Sequence, residues 1–258
     1  MTVTNLTFPQ PLKAREDFIF NQVLLGNFEA MWSEISYVAA GKQVKIFVME
    51  DALIVGGVRV NVSATLEQKI ADLFNASLPT ALVADLMYAY STRKANPSPR
   101  PISSSVEAMV AHSNAVSKQV CSGAGIAATV GKHWILDKKL ELKARSACNY
   151  GWHFTGASFQ GIAGFPAATR FAGSNVKVIQ PNATAHDASH SDYSQICQLV
   201  SQSCWINNCE YKFSNVLKDP NLSVLVSHTG VLKNDRQPGT VVYNDKVLVL
   251  PTRLNVCS

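Results

Sequence analysis

Histidines and carboxylates gather in one stretch of this chain. Four of its six histidines, His133, His153, His186 and His190, fall between positions 133 and 190, with Asp187 among them and Asp192 just beyond. The segment His186-Asp-Ala-Ser-His-Ser-Asp-Tyr-Ser194 is its densest polar cluster. An imidazole oriented by a carboxylate can serve as a general base, activating a hydroxyl or a water for hydrolysis. Lys132, His153, Gln160, His186, Asp192 and Ser194 supply the parts of such a site. A second chemistry is metal binding. His186 and His190 stand four apart, which puts both on one face of a helix, and His153 or Asp192 would complete a zinc site. However, Asp187 and Ser189 are poor helix formers, and no Glu follows His186 as in a zincin helix. The third reading is a solvated loop in which Ser191 or Asp192 caps the next element.

Asn149-Tyr-Gly-Trp-His-Phe154 is the other segment that stands out. In a regular strand Tyr150, Trp152 and Phe154 share one face, while Gly151 and His153 share the other. His153 would then sit opposite an aromatic wall, as a base or as a structural imidazole bonded to backbone. Cys148 beside His153 or His186 suggests a thiol hydrolase, but Cys148 opens no helix in a Gly-rich context. Gly123-Ala-Gly125 is too short a signal for a phosphate loop, since no GK[ST] or GxGxxG accompanies it.

The elements that must carry these residues are of mixed type. Leu12 to Leu25 and Asn27 to Ile35 have apolar residues at helical spacing, broken at Gly26. Val44 to Met49, Ala52 to Gly56 and Val58 to Val62 are rich in β-branched residues, and the Gly56-Gly57 turn joins them into a small meander. Thr65 with Gln68 forms a capping box for a helix ending near Asn75. Another helix starts at Leu78-Pro79-Thr80 and runs to about Tyr90. Asn96-Pro-Ser-Pro-Arg-Pro101 has three prolines in six residues and is expected to be an extended spacer. Ser105 to Val120 is expected to be helical. Beyond it come short strands at His133 to Leu136, Asn149 to Phe154, Val176 to Ile179 and Thr240 to Leu250. Short helices at Phe213 to Leu217 and Asn221 to Val226 are split by Pro220. The expectation is an α+β fold: one domain over 1–258, with a mainly helical lobe at 1–95 carrying the meander. A strand-rich lobe at 102–258 carries the candidate site.

Composition narrows the function classes. Hydrophobic residues make up 47% and charged residues 16%, enough apolar material for a core and too little charge for disorder. The net charge of +5 is scattered, with no Arg/Lys stripe interleaved with aromatics, so no nucleic-acid partner is expected. Met1 to Gln10 has no basic flank leading into an apolar core, and no run is long enough to span a bilayer. Synthesis in the cytoplasm is expected, with release by lysis or carriage in a particle. The six cysteines, Cys121, Cys148, Cys197, Cys204, Cys209 and Cys257, follow no zinc or disulfide spacing. They are expected to be reduced, with Cys121, Cys148 and Cys197 buried. Cys204 and Cys209 could meet across a hairpin.

Taken together, several segments resemble a family of uncharacterised bacterial and phage proteins. The likeness rests on Arg15-Glu16, Leu78-Pro79-Thr80 before a helix, Lys132 before a strand, Tyr150-Gly-Trp-His153, and Gln160. It continues through His186, Asp192-Tyr193-Ser194 and the closing Leu199-Val200. It implies that His153, Gln160, His186, Asp192, Tyr193 and Ser194 form a unit, and that Cys148 and His190 are dispensable. It supplies no activity, and Gln198 stands where the family has an Arg. The functional expectation is a hydrolase centred on His153, His186 and Asp192, with Ser194 or a metal-bound water (zinc) as attacker. Bacterial cell-wall peptide or glycan is the leading substrate. The alternative is a structural or binding protein, such as a virion component that meets other virion or host proteins.

Overall fold

The computed structural model describes residues 6–120, 123–156, 165–168, 171–244 and 246–253. The fold is α+β. Helix α1 (Leu12–Leu24) is followed by a long hairpin, β1 (Trp32–Ala39) and β2 (Lys42–Met49). Asn27 to Ile35 is therefore not helical. Trp-Ser-Glu-Ile-Ser-Tyr-Val-Ala also alternates with the two-residue period of a strand, burying Ile35, Tyr37 and Ala39. Ala40 and Gly41, both at positive φ, close the turn. A two-residue-strand hairpin, β3 (Ile54–Val55) and β4 (Val58–Arg59), turns at Gly56-Gly57.

Helix α2 (Ala64–Leu73) starts two residues before the expected capping box. Ser63 accepts from Leu66 N, while Thr65 instead donates to Ala188 O. A short strand, β5 (Ala76–Ser77), leads to helix α3 (Ala81–Ala89), capped by Thr80 through Val83 N. Then come β6 (Arg93–Lys94), the proline-rich stretch, and helix α4 (Val106–Ser117), capped by Ser105.

Strands β7 (Ala127–Ala128), β8 (Lys132–Ile135) and β9 (Ser146–Thr155) follow. β10 (Val176–Asp187) runs well past the expected Ile179, so His186 lies on a strand and not in a loop. It is an edge strand, where Pro181 removes no needed ladder bond. β11 (Gln195–Ile196), β12 (Val200–Ile206), β13 (Cys209–Lys212), helix α5 (Phe213–Lys218) and β14 (Thr252–Arg253) complete the order. Asn221 to Val226 holds only a single 3-10 turn at Ser223–Leu225, and the described residues between Thr240 and Leu250 are irregular rather than a strand.

Two sheets organise the molecule. One has the order β13-β12-β2-β1-β14, with β5 also paired to β12. It takes strands from both sides of the proline-rich stretch, so the two halves of the chain share a sheet. The other, β10-β9-β8-β11, carries the candidate residues. The main apolar core includes residues of both sheets, α2 and α3. Arg15, fully buried, donates to Ser104 O, and Glu16 accepts from Ser63 N, so α1 ties down both the end of the proline-rich stretch and the start of α2. No helix among the described residues is long and apolar enough to cross a membrane.

The start of β8 is packed without slack. Lys132 N donates to Ser194 O at 2.7 Å, and Gly131 lies against the same carbonyl. A Cβ on Gly131 would collide with Ile196 Cγ2 and stand 2.7 Å from Ser194 O. Gly131→Ala is therefore expected to destabilise the fold by about 1–3 kcal/mol, read as a lowered midpoint in denaturant. An unchanged midpoint would show that β8 and β11 are not in register as described.

Candidate functional site

The strand β9 places its aromatic and imidazole groups in an unexpected way. Gly151 has φ of +125° and Trp152 of +58°, a conformation that a bulky residue rarely adopts. The strict alternation of side chains fails here. Tyr150 and His153, three apart and expected on opposite faces, both reach the carboxylate of Asp85 on α3. Tyr150 Oη donates to Asp85 Oδ1 at 2.8 Å, and His153 Nε2 lies 2.6 Å from the same oxygen. Gly151 is required twice over, by its φ and by His133 Cδ2, which would stand 3.2 Å from any Cβ.

A third partner arrives from far along the chain. His228 Nε2 lies 3.0 Å from Asp85 Oδ2. Thr80, besides capping α3, donates through Oγ1 to Val226 O at 2.5 Å and so holds the 226–229 segment beside the helix. Leu136 N to Pro79 O fixes the same helix start to the end of β8. Asp85 is thus bonded by Tyr150, His153 and His228. Its side chain and that of His153 are 0% and 2% exposed, whereas that of His228 is 27% exposed. Tyr88, one turn further on α3, stacks on His153 at 5.1 Å, and Lys94 Nζ lies over Tyr88. Burial, followed by the Asp85 charge, pushes the Tyr150 hydroxyl far up, so it stays a donor. For the carboxylate to accept from both imidazoles, each must carry its hydrogen on Nε2. That leaves Nδ1 of the solvent-facing His228 as a base.

The other expected residues form a separate group. Lys132 Nζ lies 3.4 Å from Asp192 Oδ2 and 5.5 Å from the centre of the Trp152 ring. Asp192 Oδ1 accepts from Ser194 N at 2.8 Å and Ser194 Oγ at 2.6 Å, and Oδ2 also accepts from Gln195 Nε2. Burial raises the Asp192 carboxyl, but Lys132 and the Ser194 and Gln195 donors outweigh it and leave it below its usual range. Asp192 therefore orients no imidazole by a hydrogen bond. Ser194 is fully buried, with its hydroxyl committed to that carboxylate, which removes it as the attacker.

His153 and His186 do not share a pocket. Along β9 they pair beside residues six apart, Val178 opposite His153 and Ala147 opposite His186, roughly 20 Å of strand. His186 stacks on His190 at 4.4 Å with planes 6° apart, so their in-plane lone pairs run side by side and do not converge on a metal. Among the described residues, no group of three or more His, Cys, Asp or Glu side chains is placed to hold a metal ion. Lys132 and Asp192 remain close enough to bias His186, whose pKa is lowered by burial first and then by His190. Gln160, Cys121 and Cys257 lie outside the described residues.

No known family model, curated protein or solved structure matches this chain.

The four described cysteines, Cys148, Cys197, Cys204 and Cys209, are free. Cys204 pairs with Tyr211 and Cys209 with Ile206, so the hairpin does not bring the two together. Burial, then Asp137, pushes the Cys148 thiol up to about 12, and its hydrogen-bond partner is Asn182, so it is no thiolate nucleophile. A cavity of about 820 Å³ opens elsewhere, lined by Met31, Glu50, Asp51, Arg59 and Arg93 among others. Its lining includes the Arg59–Asp51 ion pair at 2.7 Å and, among the described residues, no imidazole.

Sequence reasoning missed Asp85 and His228. Asp85 did leave a signal: it is the single charge in Ala-Leu-Val-Ala-Asp-Leu-Met-Tyr-Ala, an otherwise apolar helix. A carboxylate there is buried on almost any rotation and must find donors. His228 left none, because only the tertiary fold brings it to α3.

Two other imidazoles are held neutral. Burial, then His153, lowers the His133 pKa to about 3. Burial, then Arg100, lowers that of His112 to about 4. Both lie below the unfolded value of about 6.5, so the unfolded chain binds more protons at intermediate pH. The stability is whole above about pH 6.5 and is lost as pH falls toward the folded values. Each imidazole removes about 2–3 kcal/mol by about pH 4.5. Thermal midpoints should fall across this window, and His133→Gln should flatten the slope. A level wild-type profile would contradict the assignment.

Proposed function

We propose that the protein is a hydrolase whose acid–base centre is the Asp85–His228 pair, with His153 and Tyr150 holding the carboxylate. The observation that supports this most is a fully buried Asp85 hydrogen-bonded to a solvent-facing imidazole. His228 Nδ1 takes a proton from water as the oxygen attacks the electrophilic carbon. The resulting imidazolium, stabilised by Asp85, returns that proton to the leaving group. Tyr150 and His153 supply two further donors to the buried Asp85 carboxylate. The strained Gly151–Trp152 backbone that delivers both is in keeping with a functional site.

The substrate proposed is bacterial cell-wall peptide or glycan. The net charge of +5 favours approach to an anionic polymer. The decisive experiment is a turbidity assay on bacterial walls, run beside thermal unfolding. His228→Ala is expected to lower clearing by roughly 10²–10⁴-fold with the midpoint nearly unchanged, because the imidazole is partly exposed. Asp85→Asn should lower both, since a buried amide cannot accept from three donors. Full clearing by His228→Ala would end the proposal, and a wild-type protein inert on walls would favour the structural or virion-component alternative.

A further inference from the structure

On the other side of the β8–β9 pair, three rings meet. His112 of α4, Trp152 of β9 and Tyr193 have centroids 5.4 to 6.3 Å apart. The three residues are 1%, 4% and 4% exposed. Trp152 Nε1 and His112 Nε2 are buried without any hydrogen-bond partner. An indole nitrogen is only a donor, and leaving a buried donor unmade costs about 1–3 kcal/mol. The two rings that carry these nitrogens lie against each other, with centroids 6.1 Å apart, and buried polar groups are as a rule hydrogen-bonded.

Lys132, Arg100 and Arg59 are the cations that act on His112, and Asp192 is the carboxylate that opposes them. Arg59 is neutralised by a two-point contact with Asp51, but Lys132 gives Asp192 only one long contact at 3.4 Å. An ammonium has three donors, so Lys132 retains capacity for another acceptor. Arg100 is exposed on the proline-rich stretch, whose backbone N–H and carbonyl are both bonded to Tyr193 Oη.

We propose that Trp152 Nε1, His112 Nε2 and the Lys132 ammonium together bind one oxyanion group, a carboxylate or a phosphate, of a ligand. The site is distinct from the Asp85 centre: His133, Tyr150 and His153 interact on the α3 side of β8 and β9, while Lys132 and Trp152 project to the α4 side. The strain at Trp152 serves both, since the turn that delivers His153 to Asp85 also sets the indole against His112. The inference does not depend on the hydrolase reading.

Calorimetric titration with inorganic phosphate and, separately, with acetate tests it. Saturable binding of at least one is expected, and which one binds identifies the anion. Trp152→Phe keeps a ring and removes the donor; Lys132→Gln keeps the stem and removes the charge. Each should weaken binding roughly ten-fold or more, while His228→Ala should leave it unchanged. In the wild-type protein, the Trp152 indole N–H resonance should move downfield as the anion is added, a readout that needs no variant. No saturable binding would mean that water satisfies the two nitrogens, and binding that survives both substitutions would mean an anion held elsewhere. Either result overturns the proposal.

Discussion

A carboxylate stripped of water must be given hydrogen bonds by the protein, and Asp85 is a carboxylate at 0% exposure in the middle of an apolar helix. Much of the surrounding architecture can be traced to that requirement. Tyr150 and His153 come to it only because the β9 backbone leaves the ordinary strand conformation at Gly151 and Trp152. His228 comes because the Thr80 hydroxyl holds Val226 O against the start of α3. Tyr88 then covers His153, and the next imidazole along, His133, is left buried and neutral. The chain accepts backbone strain in return for three donors on one acceptor, a trade that active sites commonly show.

The same distortion links the two faces of the β8–β9 pair. A regular strand would have sent Tyr150 and Trp152 to one side and His153 to the other. Instead Tyr150 and His153 serve Asp85, and Trp152 stands among His112, Tyr193 and Lys132. The two groups are thus built from interleaved residues of one short segment but point to different elements, α3 and α4. A change at Gly151 would disturb both, which sets it apart from changes at His228 or Lys132.

The helices after the hairpin region were legible because their ends carry local chemistry. Thr80 and Ser105 cap α3 and α4 where a short polar residue precedes an apolar run. Asn27 to Ile35 misled because Phe28, Met31, Trp32 and Ile35 fit helical spacing, and the competing alternation through Ala39 only became decisive with the Ala40-Gly41 turn. The stretch from Thr240 to Leu250 is rich in β-branched residues, yet its described residues find no partner strand, since pairing is a tertiary event that propensity cannot supply. Lys132, Asp192 and Ser194 lie together, as their place in the sequence suggests, but they stand apart from His153. Sequence proximity favoured Asp192 as the orienting carboxylate, whereas the nearer one in space is Asp85, 68 positions away. In an extended segment Ser194, two residues after Asp192, lies on the Asp192 side, within reach of an imidazole, which makes it a candidate attacker from sequence. In the fold that spacing closes a local turn and consumes the hydroxyl.

Asp85 accepts from Nε2 of both His153 and His228, and the tautomer of each imidazole tests this. Nitrogen-15 NMR of histidine-labelled protein at neutral pH distinguishes the two ring nitrogens. The account requires both residues to carry hydrogen on Nε2, with Nδ1 of His228 unprotonated and open to solvent, and requires Asp85→Asn to disturb both assignments. Finding His153 or His228 with its hydrogen on Nδ1 and a bare Nε2, or finding both unmoved by Asp85→Asn, would contradict it.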